Sequence, residues 1–277
     1  MMRWRNKKRI PVTSQIFDAL RLFLKKQGPE RIYLVTATIT RNPMCCWSAG
    51  LLLGKTWDFY AFRSMFYFKL PTQRELWAVK KDKKTKELLG KTVRNIGYTG
   101  KLDDFFDVPL QTYRTVYVEL TQEQKQLIEQ LPMEYPDPLV CVGKQHAMEN
   151  GIIIGNEFKE TQYLENKKMD TLLIYAKMYP KLIIFAKYIA QIDAIRAKMT
   201  KEGFDVSVLT GRTKNRGKLL TEANNASHMV FLCQASIGSG WELPDYPVAV
   251  FASMDYSVVS HIQAEGRILR ANKLKEN

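Results

Sequence analysis

The sequence predicts an α/β protein whose C-terminal part is a parallel sheet covered by helices on both faces. Two observations predict it. Residues 161–277 alternate between amphipathic stretches of helical period and short apolar runs. Those runs are continuously apolar, not alternating polar and apolar, which marks strands buried on both faces. Helix and strand in strict succession close into a parallel sheet with right-handed crossovers.

The elements follow in order. A helix is predicted over Ser14–Lys26, with apolar Ile16, Phe17, Leu20, Phe23 and Leu24. A Gly28-Pro29 break and a strand Arg31–Val35 complete a partial αβ piece, too small to be a domain. Residues 41–160 read as irregular. They are dense in aromatics (Trp47, Trp57, Phe59, Tyr60, Phe62, Phe66, Tyr67, Phe68), read as core in preference to a base-stacking platform. A lysine-rich stretch over 80–84 and a β-rich segment Thr115–Leu120 follow. Thr121 and Gln124 form a capping-box pattern that opens a helix. Beyond residue 160 the predicted order is helix Tyr163–Met178, strand Lys181–Ala186, helix Ile189–Lys201, a Gly203 stop and strand Asp205–Leu209. A helix around Lys214–Ala223, strand Met229–Cys233, a glycine-rich loop, strand Val248–Ala252 and a helix opened by Ser257 complete the run.

Composition narrows the function classes. There are 42 Lys and Arg against 28 Asp and Glu, a net charge of +14. That excess favours a polyanionic partner, nucleic acid before membrane; the plainer alternative is a merely soluble basic protein. The longest apolar runs, Leu182–Ala186 and Val248–Ala252, are far too short to span a bilayer. The basic start has no apolar stretch behind it, so a cytoplasmic protein is expected. Cys45, Cys46, Cys141 and Cys233 have no metal-ligand spacing, and with three histidines no metal or nucleophile cluster is expected.

Ligands of such sheets bind beyond the carboxyl ends of the strands, which here carry Lys187, Thr210-Gly211, residues 234–240 and residues 253–255. The last helix holds Gln263, Arg267 and Arg270 near one side. A guanidinium grips phosphate oxygens through paired hydrogen bonds, although arginines near a helix end are also favoured by the dipole alone. The loop Gln234-Ala235-Ser236-Ile237-Gly238-Ser239-Gly240-Trp241-Glu242-Leu243 leaves a strand end. Its glycines let backbone N–H groups approach a ligand, but ordinary turns use the same residues.

The combination is more specific. A strand, Ser-x-Gly-x-Gly-x-x-Leu, a second strand and Gln-x-x-Gly-Arg-x-x-Arg resemble motifs five and six of superfamily-two helicases. Residues 181–186 resemble motif four, and Thr36-Ala37-Thr38 with Asn42-Pro43 resembles motif three of the SWI/SNF-like branch. Residues 110–124 and Lys168 match the same branch around the start of its second domain. The resemblance implies a RecA-like sheet and a parent activity of ATP hydrolysis coupled to translocation on duplex DNA. It implies that Arg267 and Arg270 are arginine fingers on ATP, supported by Gln263. Gly238, Gly240 and Glu242 would lie near the nucleotide. Lys187, Thr210, Gly211 and Ser236 would face the nucleic-acid backbone, while Thr36 and Thr38 would couple hydrolysis to strand movement. The implied organisation is 1–43, a remnant of the first RecA-like domain; 44–160, a linker or insertion; and 161–277, the second RecA-like domain.

The departures are as informative. The sequence has no complete phosphate loop, since Gly54-Lys55-Thr56 lacks the first glycine at its required place, and no Asp-Glu-x-His magnesium motif. In the family both precede motif three, so the sequence is expected to be truncated at both ends and inactive by itself. Mg²⁺ would be held mainly by the missing first domain. The alternative is a non-catalytic nucleic-acid-binding module, or a subunit that complements a separate phosphate-loop domain. A nucleoside-handling α/β enzyme is disfavoured, because no base, nucleophile or metal set accompanies the glycine-rich loop.

Overall fold

In the computed structural model, the described residues are 2–5, 8–11, 15–34, 42–71, 76–98, 100, 104, 110–155, 160–237 and 240–268. The chain divides into two units, Met1–Lys101 and Leu102–Asn277.

In the first unit, β1 (Met2–Arg5) and β2 (Lys8–Pro11) pair antiparallel, and α1 covers Gln15–Gln27. Then come α2 (Pro43–Leu52), α3 (Phe59–Phe66), the antiparallel pair β3 (Tyr67–Lys69) and β4 (Trp77–Val79), and α4 (Lys83–Ile96). Cys46, Trp47, Phe62 and Phe66 form a buried cluster against which Trp57, Phe59, Leu88, Leu89, Val93 and Ile96 pack. The aromatics therefore supply core, and the Trp47 and Phe59 rings meet edge to face at 5.3 Å. Helix α2 can lie against Trp57 because residue 50 is glycine: a Cβ there would come 2.5 Å from the indole.

The second unit opens with α5 (Gln122–Glu134) and α6 (Pro138–Glu149). A short antiparallel pair, β5 (Ile152–Ile153) and β6 (Gln162–Tyr163), precedes α7 (Lys168–Met178). The main run is β7 (Lys181–Ala186), α8 (Ile189–Lys201), β8 (Val206–Leu209), α9 (Arg216–Asn225), β9 (Met229–Gln234), β10 (Val248–Phe251) and α10 (Val258–Glu265). The four strands form one parallel sheet in the order β10-β7-β9-β8. Successive side chains of β7 serve opposite faces. Leu182, Ile184 and Ala186 join Leu172 and Leu173 of α7 and Ile192, Ile195 and Met199 of α8. Ile183 and Phe185 join Ala223 of α9, Ala264 of α10 and the loop residues Trp241, Leu243 and Tyr246. Both faces are dry, which is why β7 is apolar after Lys181 and β9 is apolar before Gln234.

The sheet and its helices match the sequence expectation closely, including the Gly203 stop at φ +86°. Three expectations are corrected. The helix expected from Tyr163 begins at Lys168, because 162–163 pair with 152–153 as a strand. Residues 31–34 and 110–120 are in neither helix nor strand. Tyr33 is 75% and Tyr117 93% exposed, and β-prone residues become a strand only where a neighbour takes up their backbone groups. The stretch 41–160 is not irregular: its described residues include the helices α2 to α6. Thr36, Thr38, Gly238 and Arg270 lie outside the described residues.

Candidate functional site

The four strands deliver their carboxyl ends to one edge of the sheet, and side chains tie those ends in pairs. At the β8–β9 side, the Gly211 N–H donates to Oε1 of Gln234 at 3.3 Å. At the β7–β10 side, the Lys187 N–H donates to Oγ of Ser253 at 2.8 Å, and that hydroxyl donates to the Gln191 side chain of α8. The chain of contacts continues inward. Gln191 Nε2 and Lys168 Nζ both donate to Oδ1 of Asn150, at 3.3 and 2.8 Å, and Lys168 Nζ also reaches the Ala252 carbonyl at 3.4 Å. Burial holds the Lys168 ammonium below the usual lysine range. This lysine therefore secures the turn after β10.

A second cluster crowns β7. Lys187 Nζ sits 5.0 Å from the ring centres of both Tyr188 and Tyr256, within cation–π range. His146 Nδ1 lies 2.7 Å from the Tyr188 hydroxyl, and its ring tilts against Tyr256 at 5.7 Å. Burial, and then the Lys187 charge, keep the His146 pKa below its ordinary value. Burial pushes the Tyr188 phenol up to about 12.

The glycine-rich loop and α10 meet at Arg267. Its Nη1 donates to the Trp241 carbonyl at 2.6 Å and its Nε to the Gln263 carbonyl at 2.8 Å, while the Leu243 N–H returns a bond to the Arg267 carbonyl at 3.0 Å. Trp241 is buried and closes the loop by donating Nε1 to the Ile237 carbonyl at 2.8 Å. One guanidinium thus holds the two sequence motifs together and retains N–H groups for a further acceptor. Gly240 takes φ +83° here, a left-handed conformation that favours glycine.

The other expected site residues are placed unevenly. Ser236 and Glu242 are exposed on the loop, and Gln263 is half-buried on α10. Thr210 is 7% exposed, and its Oγ1 accepts from the Arg212 N–H at 3.3 Å, so it serves the turn after β8. Gly211 is the exposed member of that pair. Gly54-Lys55-Thr56 is a helix stop. The Lys55 N–H reaches the Gly50 carbonyl at 2.8 Å and the Gly54 N–H the Leu51 carbonyl at 3.3 Å, with Gly54 at φ +79°, the paired bonds of a Schellman motif. Among the described residues no group of three or more His, Cys, Asp or Glu could hold a metal ion. Cys233 is buried in the sheet and its thiol is pushed up to about 12, unsuited to nucleophilic work. Sequence reasoning missed Asn150, Gln191 and Tyr256, and named Ser253 only within the strand end 253–255 and Trp241 only within the glycine-rich loop. Asn150 and Gln191 carry no local signal, because they meet Ser253 only through the sheet.

Residues 146–272 match the helicase conserved C-terminal domain. The chain contains a helicase C-terminal domain. Its sheet, with helices on both faces, is the RecA-like arrangement that the motifs implied. No curated protein matches the sequence. Similar solved structures include the C-terminal part of the Fun30 ATPase domain, at 17% identity and a TM-score of 0.37, covering 55% of this chain and 47% of that one. The Pyrococcus furiosus Hef helicase domain is similar at 19% identity and a TM-score of 0.30, covering 52% of this chain and 31% of that one. The chain thus spans less than half the length of either. Among the described residues no helix is long and apolar enough to cross a membrane.

Proposed function

We propose that this chain provides the C-terminal half of an ATP-dependent DNA helicase or translocase of the SWI/SNF-like branch. The observation that carries the proposal is Arg267, which joins the glycine-rich loop to α10 at the edge of the sheet where ligands of parallel sheets bind. Arg267, together with Arg270, is assigned to the γ-phosphate of ATP. Gly238, Gly240, Glu242 and Gln263 are assigned to its surroundings, and Lys187, Gly211 and Ser236 to the nucleic-acid backbone, with Thr210 shaping that turn. Thr36 and Thr38 are assigned to coupling. ATP with Mg²⁺ would be gripped chiefly by a separate phosphate-loop domain; it supplies a phosphoryl group whose developing negative charge a planar guanidinium can stabilise.

The test is turnover after the chain is combined with a phosphate-loop domain, in one polypeptide or in trans. Arg267→Ala and Arg270→Ala should each lower kcat by about 10³ or more with little change in KM. Lysine at either position should not restore it, because a point charge does not reproduce the planar fork. Near-normal kcat in both alanine variants would refute the assignment.

A second reading is a non-catalytic binding module. It is favoured by one observation: Gly54-Lys55-Thr56 terminates α2 as a Schellman turn, and the second Gly-Lys-Thr, residues 90–92, lies inside α4.

A further inference from the structure

The positive charge of this protein is not spread over the chain. Residues 1–101 hold 22 of the 42 Lys and Arg but only 6 of the 28 Asp and Glu, a balance of 22 − 6 = +16. Residues 102–277 hold the remaining 20 basic and 22 acidic residues, a balance of −2. The helicase C-terminal domain lies wholly within this slightly acidic unit. The first unit accounts for the whole excess.

Helix α4 gathers part of that charge on one side. Leu88, Leu89, Val93 and Ile96 face the aromatic core, so the opposite side turns Lys83, Lys84, Lys86, Lys91 and Arg94 to solvent. Glu87 is the one acidic residue of the helix. None of the ion pairs among the described residues uses these five cations. Not every cation of the unit belongs to the surface. Arg63 is stacked 3.9 Å over Trp77, and Lys80 donates to the Ser64 carbonyl at 2.7 Å.

Local stability does not explain the pattern. Three of the five lysines and arginines, Lys83, Lys84 and Lys86, sit in the first helical turn, where the helix dipole disfavours cations. The helix cap itself is satisfied by Asp82, which accepts from the Thr85 N–H at 2.9 Å. From Lys83 to Arg94 the helix rises about 16 Å, a length over which duplex DNA presents roughly ten phosphate charges. A membrane-surface helix needs an apolar face to bury in lipid. Here that face is already in the core, and no large hydrophobic residue of α4 is exposed.

We propose that the exposed face of α4 is a nucleic-acid backbone-binding surface, carried by the first unit and separate from the helicase C-terminal domain. It grips phosphates without reading bases, since lysines and arginines set in a row on a helix face act as charge. The inference does not rest on the proposed ATPase role, and its test makes no use of turnover.

The test uses the whole chain, with a labelled duplex and a labelled single strand titrated at several salt concentrations. The decisive variant is K83E/K84E/K86E/K91E. Glutamates in the first turn favour the helix, and unchanged circular dichroism would exclude unfolding. The milder K83Q/K84Q/K86Q/K91Q serves if the first does not fold. The slope of log affinity against log salt should flatten by about 3–4, because each lost phosphate contact removes about 0.7–0.9. Lys187→Ala, in the other unit, should change the slope by no more than about 1. Wild-type affinity in both quadruple variants would overturn the proposal, as would absence of binding by the parent chain at low salt. So would binding to phosphatidylserine-containing vesicles as tight as to the duplex and absent with pure phosphatidylcholine, which would make the partner an anionic lipid surface.

Discussion

At the scale of single residues, charges and volumes at a few positions decide what the protein tolerates. His146 touches Tyr188 and Tyr256 and faces Lys187, Glu149 and Lys168; burial and the nearby cations lower its pKa below 6.5. A depressed folded pKa means that the unfolded chain takes up the proton first as pH falls. Stability linked to this group is therefore fully present above pH 6.5 and declines as pH drops from 6.5 through the folded pKa. Urea midpoints between pH 5 and 7 should fall for the parent chain, and His146→Gln should flatten that decline. An unchanged pH profile in the variant would show that His146 does not govern it. Gly50 is a steric case: an alanine Cβ would enter the Trp57 ring at 2.5 Å. Gly50→Ala should cost about 1–3 kcal/mol by overpacking. Replacing both residues, Gly50→Ala with Trp57→Leu, should recover part of that loss in chemical denaturation.

At the scale of elements, the join of α5 to α6 rests on one side chain with two jobs. Gln124 Oε1 accepts the Thr121 N–H at 2.9 Å, completing the capping box, and its Nε2 donates to the Met148 carbonyl of α6 at 2.7 Å. The Thr121 side chain contributes only the reciprocal bond, its Oγ1 accepting from the Gln124 N–H at 3.3 Å. Thr121→Ala should cost about 1 kcal/mol, the usual value of an N-cap. Gln124→Ala should cost more, roughly 1–3 kcal/mol, because buried polar partners also lose a bond. Equal losses for the two variants would show that the Met148 contact contributes nothing. The same scale separates readable from unreadable helices. The capping box of α5 and the amphipathic pattern of α1 are visible in sequence. Helix α2 is not, because its residues Pro43–Leu52 are apolar or small all round and show no period.

At the scale of the whole molecule, sheet and charge fall in different units. The second carries the parallel sheet with Arg267, and the first carries the charge. The chain as it stands should not turn over ATP, with or without DNA. No phosphate loop is present in the sequence, and Gly54-Lys55-Thr56 is occupied in ending a helix. Phosphate release by highly purified protein that persists when Arg267 is replaced would point to contamination; release that Arg267→Ala abolishes would overturn the expectation.

The sequence by itself determined the sheet and the motifs on its edge. Strands buried on both faces must be apolar along their buried length, and 182–186 and 229–233 meet that demand without reference to any neighbour. Caps and stops such as Thr121, Ser257 and Gly203 act within a few residues of themselves, so they too are local. Pairings between distant residues had to wait for the tertiary structure. Whether 31–34 or 115–120 become strands depends on a partner for their backbone groups, and among the described residues none is supplied. Asn150, Gln191, Lys168 and Ser253 are far apart in sequence and meet only because β7 and β10 are neighbours. Only the division into two units showed that the +14 excess belongs to the first and not to the helicase C-terminal domain, because net charge is summed along a chain whereas a binding surface is assembled in space.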